Sequence, residues 1–218
     1  MYGPPGCGKS LLAETFPSIL PPLTEKARYE VMSLYQLAKV KLSSYIKPPF
    51  RSPHHSSSAV SLVGGGANPI PGEISLANHG VLFLDELAEF PKRTLDILRQ
   101  PLETGKVTIS RTASTATYPA HFIIIAAMNP CSCGYLVSKH AYCTCTPKLI
   151  SSYQNRVSGP ILDRFNLLLH LQSVSLTSAP LQANESSEKI RKRVMEARER
   201  QYERYGEQRG NGVSIELF

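Results

Sequence analysis

The chain opens on MYGPPGCGKS (residues 1–10), and the reading of the last eight of these residues decides the fold. Gly3 to Ser10 fits G-x-x-x-x-G-K-[ST], a glycine-rich turn whose backbone N–H groups wrap the phosphates of a nucleotide at the start of a helix. In that pattern Lys9 neutralises the β- and γ-phosphates and the Ser10 hydroxyl ligates magnesium, while Gly3, Pro4, Pro5, Gly6, Cys7, Gly8 and Leu11 complete the nucleotide-binding turn. A glycine-rich turn that holds no ligand is the plainer alternative, but two fixed glycines with lysine and serine in register are a specific signal. A loop of this kind hangs from the end of a buried strand. Only Met1 and Tyr2 precede it here, so the expectation is either a native start further upstream or a sheet that has lost a piece.

Downstream, SLLAETFPSIL (residues 10–20) starts with helix formers and stops at Pro21 and Pro22, and LTEKARYEVMSLYQLAKV repeats apolar residues at helical spacing. From residue 46 to 71 the chain is rich in Pro, Ser and Gly and reads as loops or an insertion laid over a core. GVLFLDEL and HFIIIAAMN are short apolar runs bounded by turn residues, the pattern of fully buried parallel strands; LLLHLQSV reads as a third. Between the first two, FPKRTLDILRQPLETG predicts one helix and KVTISRTASTATYP a β-hairpin. From Ser186 the pattern becomes a charged amphipathic helix closed by Gly206 or Gly210. Strands alternating with helices behind a phosphate loop predict an α/β protein with a parallel sheet.

A hydrophobic content of 42% is ordinary for a globular domain, and the longest apolar run, FIIIAAM, is far too short to span a membrane. With no basic leader at the N-terminus, the expected location is the cytoplasm. The net charge of +7 permits an acidic partner such as nucleic acid, although a charged helix that only aids solubility gives the same balance. Of five cysteines, Cys7 lies in the phosphate loop. The other four, Cys131, Cys133, Cys143 and Cys145, form C-S-C-x9-C-T-C, enough thiols for one tetrahedral Zn²⁺. Reduced cysteines in a surface loop are the alternative reading.

A phosphate loop needs an acidic partner for magnesium, and VLFLDE supplies one at a strand tip: Asp85 to orient the metal's water shell and Glu86 to polarise an attacking water. Alone, the pair would read equally well as a solvated strand end. His54 and His55, in a Pro/Ser-rich loop, receive no catalytic role. Lys106 and Arg111 on the hairpin read as solvated charges before they read as contacts to a phosphate backbone, and the glutamates of the helix from Lys189 to Arg209 pair with its basic residues at i,i+4.

At this point the chain resembles the AAA+ ATPases, and among them the magnesium-chelatase-like group of the bacterial ComM/YifB proteins. The resemblance rests on GPPGCGKS, FRSPHH, LVGGGANPIPGEISLANHGVLFLDELAEF, LRQPLETGKVTISR, AAMNPCSCG and RVSGPILDRF, which cover most of residues 3–165. It implies a P-loop NTPase with a three-layer parallel sheet, incomplete because the strand before the loop is lacking, and followed by a C-terminal helical segment. The ATPase core would occupy 1–175 and the linker and start of a helical lid 176–218, with no counterpart of the lid's sensor arginine. It implies further that Asn129 is the sensor residue that reads the γ-phosphate and that Arg164 is an arginine finger reaching a neighbouring subunit, with Arg156 a weaker candidate. The cofactors implied are ATP and Mg²⁺, the assembly a ring, expected to be a hexamer, and the partner DNA, acted on as in branch migration. A chelatase-type motor that drives metal insertion into porphyrin stays open, as does a non-catalytic module. Since each buried unpaired backbone group costs about 1–3 kcal/mol against a total stability of roughly 5–15 kcal/mol, loss of a sheet strand leads to the expectation that residues 1–218 alone are poorly soluble and nearly inactive.

Overall fold

In the computed structural model, residues 1–66, 68–110, 114–138, 141–173 and 185–205 are described. The phosphate loop leads into α1 (Lys9–Thr15), which tightens into a 3₁₀ turn over Phe16–Ile19 before the two prolines. Helix α2 (Glu25–Leu37) is capped by Thr24, whose hydroxyl accepts from the Ala27 N–H, and buries Ala27, Val31, Leu34 and Tyr35 along one stripe.

The segment expected to be loop is partly ordered: β1 (Phe50–Arg51), α3 (Ala59–Val63) and a two-rung hairpin of β2 (Gly64–Gly65) and β3 (Ile70–Pro71) lie within it, followed by α4 (Glu73–Leu76). Strand β1 pairs in parallel with β4 (Val81–Leu84), Phe50 opposite Val81, with the Val81 N–H bonded to the Pro49 carbonyl at 2.8 Å. Prolines 48 and 49 and the brevity of the pairing hid this edge strand from a periodicity argument. The stretch expected as one helix is two, α5 (Lys92–Asp96) and α6 (Arg99–Thr104). Pro101 accounts for the break: it has no N–H for the Ile97 carbonyl, and its ring crowds that carbonyl. The hairpin forms as expected from β5 (Lys106–Ser110) and β6 (Thr115–Pro119), with Lys106 exposed; Arg111 lies outside the described residues. Strand β7 (Ile123–Ala126), helices α7 (Pro147–Gln154) and α8 (Gly159–Leu162), and the charged α9 (Ser187–Tyr205) follow among the described residues. The expected boundary between 175 and 176 and the glycines at 206 and 210 also fall outside the described residues.

The central sheet is parallel, in the order β1-β4-β7. Strand β4 is buried throughout, as expected, whereas β7, also expected to be fully buried, is only partly so: Ile123 is 38% exposed, and as the last strand of the ladder β7 has a ladder neighbour on one side only. Leu82, Leu84, Ile124 and Ala126 face the larger core, where Leu95, Leu98, Val107, Ile109, Tyr153 and Ile161 pack. Phe83, Ile125 and Ala127 face the other way, onto Ala13 of α1. Alternation of side chains along each strand thus produces three layers from two apolar runs. Beyond β7, Met1 and Tyr2 continue the pairing for one step: Tyr2 bridges Met128 on one side and His170 on the other.

Over its described residues, 167–173, LLLHLQSV is not a buried strand. Only His170 takes part in a bridge, and Leu167 and Leu168 are 73% and 77% exposed. A ladder needs a facing backbone, and among the described residues this segment pairs with Tyr2 alone, whose N–H bonds the Leu169 carbonyl and whose carbonyl accepts from Leu171. No helix among the described residues is long and apolar enough to cross a membrane.

These placements separate two leucines of the same sequence character. Leu84→Ala, in the closed core, is expected to lower unfolding free energy by about 2–5 kcal/mol, whereas Leu168→Ala should change it by under roughly 0.5 kcal/mol. Urea denaturation of both variants checks this, and a large loss at Leu168 would restore the buried-strand reading.

Candidate functional site

Backbone pairing beside β7 places the loop. The Met1 carbonyl accepts from the Met128 N–H at 2.9 Å and the Gly3 N–H reaches the Met128 carbonyl at 3.3 Å, so the loop begins one residue from Asn129. Gly8 then turns into α1 with φ of +85°, and a Cβ there would touch nothing within 4 Å; the left-handed conformation, not space, calls for glycine. Lys9 follows at the first helical position and is 8% exposed. Its ammonium donates to the carbonyls of Gly3 and Pro4 at 2.7 and 2.8 Å and to Asn129 Oδ1 at 3.1 Å. The buried charge is thereby held by oxygen partners in three directions.

At the tip of β4, Asp85 Oδ2 accepts from the Ser10 hydroxyl at 2.7 Å, and Oδ1 accepts from the Glu86 N–H at 2.9 Å. A hydroxyl and a carboxylate side by side form a hard oxygen donor set, which suits Mg²⁺. Glu86 adopts φ of +52°, unusual for a residue with a side chain, where the strand turns sharply into the 3₁₀ turn Leu87–Glu89. The turn is pinned from behind by the Leu87 N–H on the Ala127 carbonyl at 2.9 Å. Three separated stretches, 3–10, 85–86 and 129, therefore meet at one end of the sheet, as the sequence predicts.

One residue of this group is absent from that prediction. His55 Nδ1 lies 3.0 Å from Glu86 Oε2, with the His54 ring 4.0 Å from its own and Phe90 edge-on beneath. The missed signal was the pair itself: two adjacent histidines in a loop have no local pattern that specifies a partner thirty residues away.

Residues 1–179 match the family model described as magnesium chelatase, subunit ChlI. The chain is 49% identical over 208 residues to the uncharacterized protein YifB of Salmonella typhimurium and 48% identical over 209 residues to that of Escherichia coli. It is 44% identical over 208 residues to the competence protein ComM of Haemophilus influenzae. The chain belongs to the magnesium-chelatase-like family of ComM and YifB. Each match takes in 94% of this chain but only 40–41% of the relative, so the chain spans about two fifths of the length of the curated relatives.

The remaining family positions stand outside the loop cluster. Arg164 pairs with Glu103 of α6 and not with the adjacent Asp163, and both partners are about half exposed. Arg156 binds Glu89 at 2.8 Å and lies over the Tyr153 ring, 5.6 Å from its centre. The four clustered cysteines converge after Asn129, their sulfurs all within 4.8 Å of one another.

Burial, reinforced by the Glu89 carboxylate and opposed by Arg156, pushes the Tyr153 phenol up to about 12. An unfolded tyrosine ionises near about 10. Between those values the unfolded chain has released a proton that the folded chain keeps, so Tyr153 contributes stability fully below about pH 10 and loses it as pH rises toward 12. Urea unfolding of the wild type should weaken across this window relative to Tyr153→Phe, and parallel pH curves would show that Tyr153 carries no such linkage.

Proposed function

We propose that the protein is an AAA+ P-loop ATPase that binds Mg-ATP at Gly3–Leu11 and hydrolyses the terminal phosphoanhydride. The observation that carries this reading is the pair of contacts joining distant segments, Lys9 to Asn129 and Ser10 to Asp85. The loop N–H groups and the Lys9 ammonium would hold the phosphates, Lys9 exchanging its carbonyl partners for phosphate oxygens. Ser10 and Asp85 would hold the magnesium ion, which supplies charge neutralisation on the β- and γ-phosphates. The Glu86 carboxylate would accept the proton of the attacking water, held in position by His55, and Asn129 would orient that water against the γ-phosphate.

Arg164 would act in trans, leaving Glu103 for the phosphates of a neighbouring subunit in a ring, most simply a hexamer; Arg156 would lie at the same interface. Residues 1–175 would form the ATPase core and 176–218 the linker and start of the lid, in the cytoplasm. The substrate of the motor would be DNA, on the ground of the competence protein ComM's similarity over 94% of the chain and the net charge of +7. The chelatase alternative has weaker support, a 33% match to a chloroplastic magnesium-chelatase subunit ChlI of rice over 60 residues.

Glu86→Gln should retain ATP binding and lose turnover by orders of magnitude, on the order of 10²-fold or more, while His55→Ala should lower turnover with little change in affinity. Phosphate release and nucleotide titration check both; wild-type turnover in Glu86→Gln removes that residue from the mechanism.

Mixing Arg164→Ala with Lys9→Ala subunits, each inactive alone, should restore partial activity at interfaces that retain both groups. Branched DNA should stimulate turnover at low salt, with the effect falling steeply as salt rises. An assembled Arg164→Ala ring with normal turnover would reject the finger, and indifference to DNA would favour the chelatase alternative.

A further inference from the structure

We propose that Cys131, Cys133, Cys143 and Cys145 bind one structural Zn²⁺ that ties residues 131–133 to 143–145, forming a knuckle held against the phosphate loop. A Zn²⁺ with four thiolates at about 2.3 Å defines a tetrahedron whose sulfur–sulfur edges are about 3.8 Å. Here Cys131 and Cys133 are 3.3 Å apart, Cys131 and Cys143 3.7 Å, and Cys133 and Cys143 3.6 Å, with Cys145 inside the same 4.8 Å limit. All four are free thiols. Thiols brought this close on three edges, none of them bonded to another, have the arrangement that a soft four-coordinate ion needs, and the all-sulfur set selects zinc over the hard magnesium of the neighbouring site.

The local backbone supports the same arrangement. The Gly134 N–H closes a turn onto the Cys131 carbonyl at 3.0 Å, and Ser132 Oγ lies 3.3 Å from Cys145 Sγ, so the two C-x-C pairs are drawn together from both sides. Cys145 directly precedes Thr146, the cap of α7, and Gln154 at the far end of that helix donates to the Pro130 carbonyl at 3.1 Å. A metal would thus close a ring of contacts running from Pro130 through the knuckle and α7 back to Pro130. Gly134 turns at φ of +84° against the phosphate loop, where a Cβ would come within 2.8 Å of Pro5 Cδ. The knuckle therefore touches the loop on one side and the Asn129 segment on the other. Neither argument uses ATP hydrolysis, so the proposal stands apart from the functional reading.

The test is metal analysis of the full chain purified without chelator. About one zinc per chain is expected, with Cys143→Ser and Cys145→Ser losing it, and with four of the five thiols unreactive until a chelator is added. Should the serine variants fail to fold, Co²⁺ exchanged into the wild type decides: intense thiolate-to-metal charge-transfer bands and tetrahedral ligand-field bands support the site. Folded protein with no bound zinc, five freely reactive thiols and no such bands overturns it, as does a mass lower by two hydrogens for each disulfide formed within the cluster. An ATPase failure in zinc-loaded protein counts against the functional reading alone.

Discussion

The parallel pairing of β4 with β7 fixes where every reactive group lies, because a one-residue slip in a strand exchanges its two faces. Val81 to Leu84 stand opposite Ile123 to Ala126. Slipping β7 by one would turn Ile124 and Ala126 out of the larger core and drive Ile125 into it, against the packing of both layers. The same register brings the ends of the two strands level, so that Asp85 and Asn129 leave the sheet at one edge. There the Leu84 carbonyl accepts from the Ala127 N–H and the Ala127 carbonyl from the Leu87 N–H, each at 2.9 Å, which forces the turn that carries Glu86. Met1 and Gly3 use the next backbone groups of the same chain, at Met128, and deliver Lys9 to Asn129. Apolar packing thus sets the register, and the register sets the polar geometry.

What could be read in the sequence follows from how local each feature is. GPPGCGKS and VLFLDE are contiguous, and their chemistry is written in residue types at fixed spacing, so the loop, the two parallel strands and the acidic tip were all legible, though not that the second strand is only partly buried. The hairpin was legible too, because alternation in KVTIS is a short-range signal. Strand β1 was not, since its pairing partner is thirty residues away and two prolines precede it. The three leucines at 167–169 misled because an apolar run reports burial only through a covering neighbour, and among the described residues Tyr2 alone pairs with this segment. His55 was missed for the same kind of reason: its meaning lies in Glu86, and nothing beside it in the chain points there.

The site also shows how a charged side chain tolerates burial before any ligand is considered. Lys9 is closed off from water yet surrounded by the carbonyls of Gly3 and Pro4 and by Asn129, so its ammonium keeps hydrogen-bond acceptors in place of solvent. Those acceptors belong to the loop itself, which means that the lysine also braces the loop from within. On the ATPase reading, phosphate oxygens replace loop carbonyls at the same ammonium, and binding is an exchange of acceptors and not the desolvation of a free charge.

The charge balance of this group bears on why such a site would need a neighbour. The cluster holds one ammonium, Lys9 on Asn129, and two carboxylates, Asp85 on Ser10 and Glu86 on His55. A triphosphate brought here would meet two carboxylates as well as the ammonium, and two like charges about 4 Å apart repel by roughly 4 kcal/mol at an effective dielectric of about 20. On the ATPase reading, a divalent cation held by Ser10 and Asp85 would offset part of this, and charge developing as the terminal phosphate leaves would call for a further cation. The two arginines of the family pattern are each occupied within the chain, Arg156 by Glu89 and Arg164 by Glu103, on the surface and not in the cluster. Exposed ion pairs of this kind are worth only about 0–1 kcal/mol, so a guanidinium surrenders little in leaving its glutamate for a phosphate presented by another copy. On the ATPase reading, a cation that the described residues do not place at the loop would thus be available, at small cost, to the loop of a neighbouring copy.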